Sequence, residues 1–535
     1  MAGNKGFRNL PKLERLKRER TVPPTHPRTR ASLPVTTRSP RLVSVTLAAF
    51  PQLHQALILS LAKLLQPSVD AFVVGGAIRD LLLSRHPLDD LDLALPARAL
   101  DTGEALAARM GGRYVCLDLA RGAGRVILRS DDRVAQIDLT DFRRPSIEAD
   151  LRGRDFTINA LAVSVRRLAQ AEEASVLDPT GGLADLAKHR LRLAGPRAFS
   201  EDPMRAFRAI RLAGALGFHL DPGLLRAARA VAPHLGETAP ERVRDELAGI
   251  LSLPRAAVGL RQLDRLGLLT GILPEGVPMK STSQPAPHRF SVWEHSLRAV
   301  EAVDQLLAEL GALGPYHDEL TPHLAEPLGD GFTRREVLKL AALLHDVAKP
   351  ACRQVVDGRT RFIGHDAVGG EMAKVIAHRL RFSSAATAVL ERLVRQHLRP
   401  MHLGQLPEVS RRARYRFFRD LGSDAQDLLL LALADAAAVR GLSPLAVWRG
   451  PAGRLVADLL GGLNEDQARV AVPPLLRGED VMAAFGLAPG PLVGRLLALA
   501  REAQDLEQVR TREEALAYLV RHGQVELTSR IQPLE

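Results

Sequence analysis

Apolar and polar positions along this chain follow two different rhythms. Between about residues 70 and 195 the apolar residues form short blocks. Ala71 to Val74 is a brief apolar run ended by Gly75-Gly76, and it reads as a buried strand. Ala77 to Ser84 reads as a short helix, and Leu91 to Leu95 as a second strand. In Val134 to Phe142, apolar Ile137 and Leu139 alternate with polar Gln136, Asp138 and Thr140, the period of two of a strand with one buried face. After Ser200 the strand signals stop and helical spacing takes over almost to the C-terminus. Ser200 to Leu216 reads as one helix, with acids in its first turn, Pro203 near its start and Gly217 after its end. Gly311 to Gly331 reads as a loop-like insertion, and Gly276 to Pro278, Ser281 to Pro287 and Gly441 to Pro451 as breaks. The fold class expected is α+β, with a small mixed head followed by a mostly helical remainder.

Length and composition sharpen this division. A chain of 535 residues is expected to hold three or four domains. The boundaries read as 1–45 (tail), 46–198 (head), 199–275 (helical neck), 285–440 (second helical domain) and 451–535 (C-terminal tail). Only Cys116 and Cys352 are present, which excludes a disulfide scaffold and fits the cytoplasm. No apolar stretch is long enough to span a membrane. Aromatic residues make up 4% of the chain, too few for a base-stacking platform. The net charge is +12, and residues 1–45 hold eleven basic residues against two acidic ones. That segment, rich in Pro, Thr and Arg, reads as a disordered basic tail beside a near-neutral body, which fits a polyanionic partner.

The first candidate chemistry follows the glycine pair. In Asp89-Asp90-Leu91-Asp92-Leu93, residues two apart on a strand face the same way, so Asp90 and Asp92 project together while Leu91 and Leu93 are buried behind them. Two converging carboxylates suit Mg²⁺, which prefers oxygen ligands and bridges phosphates. Asp138, on its own strand, is a third candidate carboxylate. The turn at Gly75 and Gly76 lets backbone N–H groups approach a phosphate.

This strand, Gly-Gly, helix and Asp-x-Asp unit resembles the class II template-independent nucleotidyltransferases, the bacterial tRNA CCA-adding enzymes and poly(A) polymerases. The resemblance extends over about residues 70–275 and implies a polymerase-beta-type head. It implies that Asp90 and Asp92 hold Mg²⁺ for catalysis, with Asp138 assisting, and that Gly76 and Arg79 contact the nucleotide. Arg152-Gly153-Arg154-Asp155-Phe156-Thr157-Ile158-Asn159 resembles the ribose-recognition motif, with Arg154 for a phosphate and Asp155 for a 2′-hydroxyl; the family usually has arginine where this chain has Gly153. Glu201-Asp202-Pro203-Met204-Arg205 resembles the base-reading motif. A carboxylate accepts from an exocyclic amine while a guanidinium donates to a ring nitrogen, so Asp202 and Arg205, sharing a helix face, select C and A against U and G. Arg208 is expected to reach the triphosphate. Leu177 to Gly182 and Glu241 to Leu247 also resemble family segments and read as structural braces. Only Arg144 to Ala149 separates Asp141-Phe142-Arg143 from Asp150, so the loop associated with switching from C to A looks deleted, as in enzymes of the family that add two cytidines.

A second constellation lies in the helical half. His295, His345-Asp346 and Asp435 occur in order on apolar helices, and a charge inside the run Leu428 to Ala438 is costly unless paired or metal-bound. Histidines and carboxylates converging from several helices suit a divalent metal, a transition metal or Mg²⁺. The set resembles the HD phosphohydrolase superfamily over about residues 285–440, with His365 and His397 as additional or supporting ligands and Lys349 for a phosphate. Leu476 to Asp480 and Gly486 to Gly494 resemble the tail of HD-bearing tRNA nucleotidyltransferases. The expected activity is tRNA 3′-end addition of C, two cytidines or the full CCA, from CTP and ATP, with an HD phosphohydrolase site beside it. A poly(A) polymerase, or a phosphohydrolase using the head only for binding, remain the alternatives.

Overall fold

The computed structural model describes residues 43–85, 90–130, 133–171, 173–462 and 473–523. The basic segment 1–42 and Asp89 lie outside them. The head is built on a six-stranded sheet. Its strands are β1 (Phe72–Val74), β2 (Asp90–Leu95), β3 (Arg113–Asp118), β4 (Ala123–Ser130), β5 (Arg133–Asp141) and β6 (Ala162–Ser164), in the spatial order β3-β4-β5-β2-β1-β6. β2 and β5 run parallel at the centre, and the other neighbours are antiparallel. Leu91, Leu93, Ile137 and Leu139 are buried in one cluster with Leu57, Leu61 and Leu106 from the helices Gln52–Leu64 and Ala99–Met110. Each such side chain contributes about 1.5–3 kcal/mol by leaving water. A slip of one residue would expose these side chains and bury the acids between them, so the apolar face fixes the register that aims the carboxylates.

Gly75 makes the tight turn from β1 into α1 (Gly76–Leu82). Its φ is +78°, and a Cβ there would lie 2.9 Å from Asp92 Oδ2, so both conformation and space demand glycine.

Beyond the head the chain is mostly helical. The expected helix over Ser200–Leu216 is broken. A short turn, Ala198–Glu201, ends at Asp202, which is extended (φ −155°, ψ 98°), and α2 runs from Arg205 to Leu216. The cause is Pro203, whose ring disfavours a helical residue before it. The neck continues through α3 (Pro240–Leu251) and Ala256–Arg265. The next bundle contains α4 (Val292–Ala308), α5 (Arg334–Leu344), α6 (His365–Arg379), α7 (Ser384–Gln396), α8 (Arg411–Leu421) and α9 (Asp424–Arg440). The segment expected as a loop-like insertion is ordered instead. It holds a 3₁₀ turn Leu310–Tyr316, a helix His317–Leu324 and a tight strand pair Pro327–Gly329 with Phe332–Thr333. Its glycines serve positive-φ turns at Gly314, Gly329 and Gly331. The breaks likewise hold short helices, Gly276–Ser281 and Pro444–Trp448.

One continuous apolar core runs from Val45 to Leu460, through head, neck and bundle. Lys339 of α5 is buried at the neck–bundle junction, where its Nζ donates to Leu251 O (2.9 Å) and Leu253 O (2.8 Å) and pairs with Asp304 (2.9 Å). The C-terminal helices, including α10 (Pro491–Asp505), enclose a separate small core around Val481, Leu496 and Leu519. Ion pairs attach this unit to α8: Arg411–Glu507 (2.7 Å), Arg412–Glu502 and Arg416–Glu502 (2.8 Å). Among the described residues, no helix is long and apolar enough to cross a membrane.

Candidate active site and metal centre

Asp90 and Asp92 lie on the polar face of β2, and Asp92 is the direct cross-strand partner of Asp138 on β5. Burial pushes the Asp92 carboxyl above its ordinary value; Arg154 opposes this, while Asp138, Asp90 and Asp155 add to it. Asp138 is committed differently. Both of its oxygens accept from Arg125 on β4, at 2.7 and 2.9 Å. Among the described residues, neither Asp90 nor Asp92 has a basic side chain in ion-pair contact. The pair thus presents undercompensated negative charge, which fits a divalent cation.

Next to the acids the chain supplies groups for an anion and a sugar. The Arg154 side chain lines the same cleft as Asp92, with its buried Nε 3.7 Å from Asp150 Oδ2, and a guanidinium on that wall fits a phosphate. Asp155 Oδ1 accepts from Phe156 N (2.7 Å) and Asn159 Nδ2 (3.1 Å), and Oδ2 lies 3.6 Å from Arg208 Nη1. Asn159 Oδ1 accepts from Arg79 (2.7 Å), whose other nitrogens form a bidentate pair with Asp80. Of the two glycines, Gly76 lines the cleft with Arg79 and the acids, whereas the Gly75 N–H is taken by Leu161 O (3.3 Å).

Asp202 and Arg205, the pair expected to read the base, are held in an unexpected way. Asp202 stands outside the helix, and Arg205 Nε is 3.8 Å from its Oδ2, too long for a hydrogen bond. The near partner of Asp202 is Arg242 on α3, at 2.7 Å. Burial would raise the Asp202 carboxyl, but Arg242 and then Arg205 hold it below its ordinary value. One turn along α3, Glu246 accepts from Arg208 (3.1 Å) and Arg211 (2.8 Å). Arg242 and Glu246 therefore orient the site from a segment read as a brace. Their i, i+4 spacing put them on one helix face, which was the available signal. Three clefts of 540, 440 and 690 Å³ share walls along this path. Asp92, Asp138, Asp155 and Arg208 join the first to the second, and Arg143, Glu201 and Arg205 join the second to the third.

The helical bundle brings six ligand residues together in two groups. His295, His345 and Asp435 form one, and Asp346, His365 and His397 the other, each with its ligand atoms within 4.8 Å of one another. Asp346 stands between them. Its Oδ2 lies 3.3 Å from His345 and 3.6 Å from His295, and its Oδ1 lies 3.3 Å from His365 and 3.6 Å from His397. His295 Nε2 is 3.0 Å from Asp435 Oδ1 and 3.1 Å from His345 Nε2. Nδ1 of His345, His365 and His397 each donates to a backbone carbonyl, Ala342, Phe362 and Val394, which turns the three Nε2 atoms toward the centre. Burial opposes charge on His345, but Asp346 and Asp435 raise it to about 9. Facing imidazole nitrogens around carboxylates call for a cation, and the donor set fits one in each group. Lys349 donates to Asp346 (2.6 Å) and to Gln284 Oε1 (2.7 Å) at the rim.

These arrangements agree with comparisons to known proteins. The family described as the poly A polymerase head domain matches residues 71–192. The probable RNA and SrmB-binding site of polymerase A matches residues 217–279, and the HD domain residues 292–438. The chain is 38% identical to an A-adding tRNA nucleotidyltransferase of Deinococcus radiodurans, over 84% of this chain and 95% of that protein. It is 37% identical to a CC-adding tRNA nucleotidyltransferase of Thermus thermophilus over 84% and 93%, and 32% identical to one of Geobacter sulfurreducens over 90% and 97%. Its fold is similar to a CCA-adding enzyme in an apo form (TM-score 0.59, 19% identity, 89% and 95% covered). It is also similar to the Thermotoga maritima CCA-adding enzyme complexed with tRNA (TM-score 0.53, 18% identity, 90% and 97% covered). The chain belongs to the tRNA nucleotidyltransferase family.

Proposed function

We propose that this protein adds cytidine to the 3′ end of tRNA from CTP, stopping after two, and leaves the terminal A to another enzyme. The observation that carries the reading is one path of clefts along which Asp90 and Asp92 meet Asp202 and Arg205, closed by a turn of only a few residues between β5 and the helix Ile147–Arg152. The relatives include both A-adding and CC-adding enzymes, so the base added rests on the short turn. Asp90 and Asp92 would hold Mg²⁺, with Asp138 beside them. When bound, the ion neutralises triphosphate charge and makes the 3′-hydroxyl a better nucleophile. Arg154 and Arg208 bind phosphate oxygens, Asp155 accepts from the ribose, and Asp202 and Arg205 meet the base edge. The 3′-oxygen then attacks the α-phosphorus, and pyrophosphate leaves. A cytoplasmic location fits such a tRNA substrate.

The test supplies tRNA ending at the discriminator base, tRNA already ending in CC and an unrelated RNA, each with CTP, ATP or both, and sizes the products. Arrest at two cytidines with both nucleotides present supports the reading. Three added nucleotides, a single A on tRNA already ending in CC, or long A tails on any RNA overturn it.

A second activity is proposed for the bundle on one observation, the two ligand groups sharing Asp346. Two divalent ions there suit removal of terminal or cyclic phosphates from RNA ends. Metal-dependent phosphate release should survive Asp92→Ala and vanish in Asp346→Ala, and loss in both variants would refute separate sites.

A further inference from the structure

Gly153 ends the helix Ile147–Arg152 with φ −88° and ψ −4°, a conformation open to any residue. Backbone geometry therefore does not require glycine there, but the present position of the Arg144 side chain does. A Cβ at 153 would lie 2.7 Å from Nε of Arg144 and 3.3 Å from Asp150 O. The Arg144 side chain passes directly over this glycine. Its own turn is pinned at both ends, because Arg143 N donates to Asp150 Oδ1 (2.9 Å) and Ser146 Oγ caps the following helix. Beyond Gly153 the guanidinium reaches Glu201 Oε1 (3.5 Å), and Glu201 Oε2 lies 3.9 Å from Arg205 Nη1. Arg205 in turn donates to Ala198 O (3.1 Å). Arg144 thus forms one wall of the cleft that holds Asp92 and Arg154, and it contacts the acid beside the base-reading arginine.

We propose that Arg144, seated over Gly153, is a positioning residue for nucleotide choice: through Glu201 it holds Arg205 in one arrangement and so fixes the base pocket on cytosine. This rests on the reading of that pocket as the nucleotide site. The short turn then acts by a specific contact and not only by the absence of a longer loop. The same contact suits glycine at position 153, since a Cβ there would require the Arg144 side chain to move from its present seat.

The test measures kcat and KM for CTP and for ATP on tRNA ending at the discriminator base. It compares the natural protein with Arg144→Ala, Arg144→Lys, Gly153→Ala and the double variant Arg144→Ala/Gly153→Ala. Because Arg144 is partly exposed and its contact is screened, Arg144→Ala is expected to narrow the CTP-to-ATP ratio of kcat/KM by about fivefold, chiefly through KM. Arg144→Lys restores part of the ratio, and Gly153→Ala reproduces the loss. The double variant is no worse than Arg144→Ala, because the glycine acts only through the arginine. An unchanged ratio in Arg144→Ala, or losses that multiply in the double variant, overturns the proposal while leaving the functional reading intact. Failure of the natural protein to extend tRNA overturns both.

Discussion

At the scale of single residues, the acids of β2 were legible because a strand repeats every two positions, and that period places Asp90 and Asp92 on one face wherever Leu91 and Leu93 are buried. Asp92 is the more demanding of the two, being held above its ordinary protonation range by burial and by other acids. Asp92→Ala is expected to lower addition by about a thousandfold or more with tRNA binding retained; primer extension and a filter-binding titration check the two halves. Arg242 and Glu246 were not legible as site residues. Their spacing put them on one helix face, but their partners lie 35 to 40 residues away, and nothing local says what that face meets. Asp185 gives a pH test of the head. It is fully buried and accepts from Thr157 (2.7 Å), Arg190 (2.5 Å) and Arg192 (2.9 Å). Burial would raise its carboxyl, but these partners hold it below 3.8. A depressed value means the carboxylate stabilises the fold above 3.8 and the contribution fades as pH falls through the folded value. Asp185→Asn should cost about 2 kcal/mol at neutral pH, with the gap to the natural protein closing below 3.8 in denaturant titrations run at several pH values.

At the scale of elements, apolar period and helix punctuation located the strands and most helices. They failed at Ser200–Leu216, where a proline that would suit a first turn instead held the residue before it extended and set Asp202 apart from α2. They failed again over 311–331, where glycines read as a loop served turns between short ordered pieces. The junction between neck and bundle was invisible, since nothing local marks a buried lysine that satisfies the carbonyls ending α3. Lys339→Met should destabilise the protein by about 3 kcal/mol because it leaves Asp304 buried without its cation. Adding Asp304→Asn should recover part of that loss, and urea denaturation of the two variants checks it.

For the whole molecule, the order of head, neck and HD bundle could be read from the sequence, but the continuity of their core could not, because it is a property of packing. The C-terminal unit stands apart, with its own core and a polar attachment to α8. Calorimetry is expected to resolve two unfolding transitions, with the one belonging to residues 473–523 selectively lowered by Glu502→Gln or by high salt, which screens such pairs. A single transition insensitive to both would show that the two cores melt together.

The grip of Arg242 on Asp202 also bears on synthesis. The ribosome releases the chain from its N-terminus, so Asp90, Asp92 and Asp155, the residues proposed for metal and ribose, emerge first. Arg242 follows 40 residues after the Asp202 it holds, and the lysine that anchors the end of α3 comes 88 residues after Leu251. A nascent or prematurely terminated head therefore carries Asp90 and Asp92 before Asp202 has gained its near partner. On the proposed reading, the partners that hold the base pocket follow its carboxylate in synthesis, Arg242 from the neck and Lys339 from the bundle.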